Sequence, residues 1–249
     1  MGNEASSRVA SGKHGHTLIS DAKFRRLYAL ALEHAQGAGG HWLSAAMAGV
    51  AGDLRSDDVV VTQERGNFGE QVIAALSGAA ADRLRKNERL TVIVCANAGG
   101  DAIVREAHQL ADDAKLPVIF VEDWRANGDA TKRQAPLPQR IGAMPAIPVD
   151  AEDVIAIYRV AHESMARARE GGGPTRMLCV RWPASGVSDK NAKQGDTAVG
   201  HLEQWLEARG LPVQTWRREI LAELRTEKQE TASETAGDAA DDIEELRLA

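Results

Sequence analysis

The sequence predicts a three-layer α/β fold with a mostly parallel sheet flanked by helices, and three observations carry that expectation. Two runs, Leu90–Cys95 and Leu116–Val121, are apolar without polar alternation. Strands of that kind are buried on both faces, as in parallel sheets. Short strand-like runs alternate with longer helical stretches, the pattern of βαβ units. Hydrophobic residues make up 43% of the 249 positions but aromatic ones only 4%, so a sizeable core is built from Ala, Val, Leu and Ile.

In chain order, Ser20 reads as an N-cap for a helix in which Phe24, Leu27, Tyr28, Leu30, Ala31 and Leu32 recur at helical spacing. Gly37 to Gly40 break it, and the Ala/Gly-rich stretch from His41 to Asp53 is a second helix. Asp57–Thr62 is a short strand, Gln71–Arg85 another Ala-rich helix, and Leu90–Cys95 a strand. A helix follows over Ala102–Ala114, then the strand Leu116–Val121 and a polar loop from Glu122 to Pro138. Ala146–Asp150 is a strand leading into a long helix over Ala151–Glu170, which Gly171-Gly172-Gly173-Pro174 terminates. Arg176–Trp182 is the last strand, and His201–Arg209 and Val213–Leu224 are amphipathic helices. Residues 1–16 are Gly/Ser/His-rich and read as flexible, 17–225 as the folded domain, and 226–249 as an acidic, disordered tail.

Composition excludes several functions. A net charge of −6 offers no basic stripe for a nucleic acid. No apolar run approaches the roughly 20 residues of a membrane helix, and Met1–Gly15 has no apolar signal core. Cys95 and Cys179 lie in apolar strands and read as buried thiols rather than a disulfide or metal site. Together these features imply the cytoplasm. His41, His108, His162 and His201 show no ligand-pair spacing and read as solvated or packed histidines.

Several stretches together resemble the alpha subunit of thiamine-diphosphate-dependent 2-oxo-acid dehydrogenases of the pyruvate, branched-chain and acetoin types. They are Arg105-Glu106-Ala107, Lys115-Leu116-Pro117-Val118-Ile119-Phe120-Val121, Ile147-Pro148-Val149-Asp150, Tyr158-Arg159-Val160-Ala161 and Gly172-Gly173-Pro174-Thr175. Leu18-Ile19-Ser20-Asp21 before Leu27-Tyr28, and Arg209-Gly210-Leu211 at the end, extend the similarity over about residues 17–225. The resemblance implies a thiamine-diphosphate-binding-like fold, shortened by several dozen residues before the helix at Gln71.

The resemblance also implies where a cofactor would be held, and there the chain departs from the family. Mg²⁺ bridging a diphosphate takes hard oxygen ligands in octahedral geometry. The family's acidic metal-binding triplet falls on Cys95-Ala96-Asn97, its ligand Asn on Trp124 and its carbonyl-bearing turn on Ala126. On the first diphosphate loop, Arg65 remains as a phosphate contact and the family's His is absent. The late His-Ser loop falls on Ala184-Ser185, again without the His. A shifted register would bring Asp101 to the ligand position, and Gly99-Gly100 before a helix could cradle an anion. Arg65, Gly99, Gly100 and Asp101 are therefore the candidate cofactor contacts. No catalytic or metal-ligating residue is assigned.

The expectation is a non-catalytic relative of the alpha subunit, with no cofactor, acting as a homodimer or with a dehydrogenase beta-type subunit. The Ala/Gly-rich helices at 41–53 and 71–82 are its expected contact surfaces. The alternative is an active thiamine-diphosphate- and Mg²⁺-dependent enzyme completed by a beta subunit. A weaker third option is a pocket for another small anion at Gly99-Gly100.

Overall fold

The computed structural model describes residues 19–36, 41–63, 67–96, 102–124, 141–180, 197–227 and 229. Helices α1 (Asp21–Ala35) and α2 (His41–Ala51) precede β1 (Val59–Thr62), α3 (Phe68–Arg85) and β2 (Thr91–Ala96). Then come α4 (Ala102–Asp113), β3 (Val118–Trp124), β4 (Ala146–Asp150), α5 (Val154–Arg169), β5 (Thr175–Val180) and α6 (Ala198–Glu207). A last helix, α7, spans 213–227. The five strands are all parallel, in the order β1-β2-β3-β5-β4.

The unbroken apolar runs serve both faces because successive side chains alternate across a strand. Val92, Val94, Ile119, Val121, Met177 and Cys179 point to one face, under α1, α2, α5, α6 and α7. Ile93, Val118 and Phe120 point to the other, under α3 and α4. Sheet and flanking layers thus match the three-layer α/β expectation. No helix among the described residues is long and apolar enough to cross a membrane.

Element ends differ from the expected ones where a polar side chain captures a backbone group. Ser20 does cap α1, accepting from Lys23 N at 3.3 Å. α3 begins at Phe68 rather than Gln71 because Asn67 caps it. α6 begins at Ala198 rather than His201 because Thr197 accepts from Gly200 N. α5 starts at Val154 rather than Ala151: Asp150 accepts from Glu152 N, and Asp153 accepts from Ala156 N. β1 starts at Val59 because Asp58 accepts backbone bonds from Arg55 N and Leu90 N, which turns the chain into the sheet. The largest shift is in β3, which runs on through Glu122, Asp123 and Trp124 instead of entering a loop at Glu122.

α2 is not the outer contact surface expected of it. Ala45, Ala46, Ala48 and Val50 are buried, and the helix packs between α1 and α5. A Cβ on Gly49 would lie 2.5 Å from Ile157 Cγ2, and one on Gly52 2.7 Å from Tyr158 Cδ2. Small residues here let α2 approach α5 within its own chain.

Candidate functional site

Ligands of parallel α/β sheets bind outside the carboxyl ends of the strands. That edge is built by Ala96 at the end of β2, Trp124 at the end of β3 and Val180 at the end of β5. Register places Ala96 opposite Asp123, and Trp124 opposite Val180. Arg65, Gly99, Gly100, Asp101 and Ala126, with the loop at Ala184-Ser185, lie outside the described residues. Of the positions singled out from sequence, the fold therefore places Ala96 and Trp124, each on a strand end, with Trp124 in the sheet rather than in a loop.

Two residues before Trp124, the sheet carries a buried ionic cluster. Glu122 on β3 has no exposed surface, and His108 on α4 and Arg176 on β5 are buried with it. Arg176 Nε and Nη2 donate to the two Glu122 carboxylate oxygens, each at 2.7 Å. Such a bidentate fork is the strongest neutralisation available to a buried carboxylate. His108 Nε2 lies 2.9 Å from Glu122 Oε1. The imidazole stands edge-on to Phe120, with ring centroids 4.4 Å apart. Burial alone would raise the Glu122 carboxyl; the Arg176 and His108 contacts outweigh it and hold it below the usual carboxylate range.

Asp123 points to the opposite face, beside its register partner Cys179. Burial first, and then the charges of Asp123 and Glu122, push the Cys179 thiol up to about 12. Cys179 is therefore a protonated core thiol, not a nucleophile. Cys95 and Cys179 are both free and buried, as expected.

Two further polar regions stand out. At the end of β4, a cleft of about 240 Å³ is lined by Asp150, Glu152, Asp153, His201 and Trp205. No group of three His, Cys, Asp or Glu among the described residues could hold a metal ion. Toward the amino ends of the strands, Asp53 binds Lys23 Nζ at 2.6 Å and His162 Nδ1 at 2.5 Å. Burial opposes ionisation of Asp53, but Lys23, His162 and Tyr158 outweigh it and lower its carboxyl. His162 is thus solvated on one side and paired on the other, and His108 is the packed kind.

Sequence reading missed the Glu122–Arg176 pair. A signal was available: the apolar run of β3 continues without a turn residue into Glu122, and an equally apolar β5 holds one Arg. A charge buried in one strand requires its counter-charge in a neighbour.

The family model for the dehydrogenase E1 component matches residues 13–194, well over half of the chain. The chain belongs to the dehydrogenase E1 component family. Its curated relatives include the alpha subunit of acetoin:2,6-dichlorophenolindophenol oxidoreductase from Bacillus subtilis, 33% identical over 43% of this chain and 35% of that one. The pyruvate dehydrogenase E1 alpha subunit of Porphyra purpurea is 41% identical over 30% of this chain and 24% of its own. The 3-methyl-2-oxobutanoate dehydrogenase alpha subunit of Mycobacterium tuberculosis is 34% identical over 46% of this chain and 34% of its own. The matched stretch spans about a third or less of each of these relatives. A solved chain from Mycobacterium smegmatis, thought to be a thiamin diphosphate-dependent enzyme, overlaps with a TM-score of 0.39 at 17% identity over 59% of this chain and 33% of its own. That overlap is too small to carry an argument.

Proposed function

We propose that this chain is a non-catalytic relative of the dehydrogenase alpha subunit that acts by associating with another subunit in the cytoplasm. One observation carries the reading. The strand ends that close the sheet's carboxyl edge carry Ala96 and Trp124. A methyl group and an indole offer no oxygen to Mg²⁺, so these two positions do not fit a metal-held diphosphate. The buried pair below that edge supports it, because Glu122 and Arg176 are spent on each other inside the core. Buried and paired in this way, neither is available to a ligand without breaking the other.

The alternative is an active thiamine-diphosphate enzyme, with Arg65, Gly99, Gly100 and Asp101 contributing and a beta-type subunit completing the site. Membership of the family, and relatives that are alpha subunits, favour it. Calorimetric titration of the purified chain with thiamine diphosphate and Mg²⁺, repeated with EDTA, separates the two. We expect no heat and no change in melting temperature. Magnesium-dependent binding at micromolar affinity would overturn the non-catalytic reading and call for assay with a beta-type subunit.

A further inference from the structure

The sheet ends in two edge strands, β1 and β4, and their sequences treat those edges differently. An edge strand turns the N–H and C=O of every second residue outward, where another strand can pair with them. In β1, Val59 N donates to Leu90 O at 2.9 Å and Gln63 N to Val94 O at 3.1 Å. The odd positions therefore serve β2, and Val60 and Thr62 turn their backbone groups outward. In β4, Ala151 N donates to Val180 O at 2.9 Å, and Pro145 O accepts from Arg176 N at 2.8 Å. The outward positions there are Ala146, Pro148 and Asp150.

Pro148 has no N–H to offer and Asp150 carries a charge, so β4 holds two of the usual guards against further pairing. β1 holds neither. Its residues, Val59-Val60-Val61-Thr62, are uncharged and β-branched, and its register with β2 runs without a bulge. Val59 and Val61 turn toward α3. Val60 turns to the opposite face and is 38% exposed. An edge so well suited to pairing, and left unguarded, is the kind to which an extended peptide adds a strand.

The groove beside that edge identifies what it takes. A space of about 330 Å³ runs between β1 and α3, lined by Val59, Val61, Ala74, Gly78, Arg89 and Thr91. Among the described residues its lining holds no acidic side chain. Arg89 Nε donates to Asp82 Oδ2 at 2.7 Å, which occupies one side of the guanidinium. Its Nη2 lies 3.8 Å from where a Cβ on Gly78 would stand. The outer amines thus present a positive charge between apolar walls, and Gly78 keeps the α3 wall open. A carboxylate carried on an extended chain complements that arrangement.

We propose that the β1 edge takes up an extended segment of a partner protein, which pairs with Val60 and Thr62 as a further strand of the sheet. On the α3 side that segment sets an acidic side chain on Arg89 and an apolar one in the groove. On the other side it covers Val60. The proposal rests on the association reading above and names its surface and the chemistry of the partner. Backbone pairing supplies the affinity, and the groove with Arg89 supplies the selection.

The test titrates the full chain into a labelled, end-blocked peptide, Ser-Val-Val-Val-Glu-Thr-Ser, followed by fluorescence anisotropy, with thermal unfolding as the folding control. Sedimentation velocity, with and without a dehydrogenase beta-type subunit, reads association separately. The peptide binds saturably, and its counterpart with Lys in place of Glu binds about tenfold more weakly or worse. Val60→Pro removes an outward N–H and no bond to β2, and it raises the peptide Kd about tenfold or more. Gly78→Leu, which fills the groove without touching β1, does the same. Arg89→Gln abolishes the preference for Glu over Lys. Folded Val60→Pro and Gly78→Leu chains that bind the peptide as wild type does overturn the proposal, and so does no binding at millimolar peptide. Either result leaves the association reading standing where the chain still associates with another subunit. A wild-type dimer that Val60→Pro dissociates makes a second copy the occupant and overturns a separate partner. A chain that binds neither peptide nor subunit, and no second copy, overturns both readings.

Discussion

α2 and α3 look alike in sequence, since both are Ala/Gly-rich and both read as contact helices, yet the fold uses them in opposite ways. α2 lies inside, and its glycines are demanded by its own chain: a Cβ at Gly49 collides with Ile157. α3 lies on the outside of the other layer, and Gly78 has room for a side chain. The contrast extends to the two faces of the sheet. The face under α2 and α5 is a deep apolar cluster fed by five helices. The face under α3 and α4 is thinner, holds the buried Glu122–Arg176–His108 cluster and leaves apolar side chains in solvent. Small residues at helical spacing therefore mark close approach without saying to what. The neighbour of each glycine decides that.

The comparison can be broken or sharpened by four measurements. The largest effect is expected on the charged side of the sheet. Arg176→Met leaves Glu122 buried and uncompensated and costs roughly 3–5 kcal/mol in denaturant unfolding, whereas Arg176→Met with Glu122→Leu recovers most of that loss. A small effect of the single change would mean the cluster is solvated rather than buried. Next, Gly49→Val overpacks the α2–α5 contact and costs about 3 kcal/mol in the same assay. A neutral result would show that α2 is not tightly seated.

The third concerns acid. Glu122 and Asp53 both have carboxyls lowered in the folded state. Groups of that sign contribute stability that is present above their unfolded pKa, about 4, and lost as pH falls through the folded value. The melting temperature should therefore fall on acidification below about pH 4. Asp53→Asn should flatten that fall and leave the neutral-to-alkaline profile parallel to wild type. An unchanged acid slope would remove Asp53 from the account. Smallest of all, Gly78→Ala should stabilise the fold by about 0.5–1 kcal/mol in denaturant unfolding. A loss instead would mean that the chain itself needs glycine there, and would erase the difference from Gly49.

Much of the architecture was legible because parallel sheets demand doubly buried strands, and Thr91–Ala96 and Val118–Val121 are written in such residues. Capping chemistry explains most boundary errors: Asn67, Asp153 and Thr197 move helix starts by about one turn, because one side-chain bond to the backbone decides where a helix begins. The candidate site was less legible. The departures at Ala96 and Trp124 could be found only by setting the chain against a family pattern, and Glu122 read as loop because a charge in a strand is unfavourable until its partner is known.

The sequence by itself determined the order of elements, the two-sided burial of the central strands, the reduced and buried cysteines and the family. These follow from local periodicity and from residue order, which need no long-range information. Only the tertiary structure decided that Arg176 neutralises Glu122 across 54 residues of chain, that α2 is internal and that α3 faces outward. Each of those depends on which elements become neighbours, and whether a buried charge or a small residue stabilises the fold is settled by the atoms that meet it.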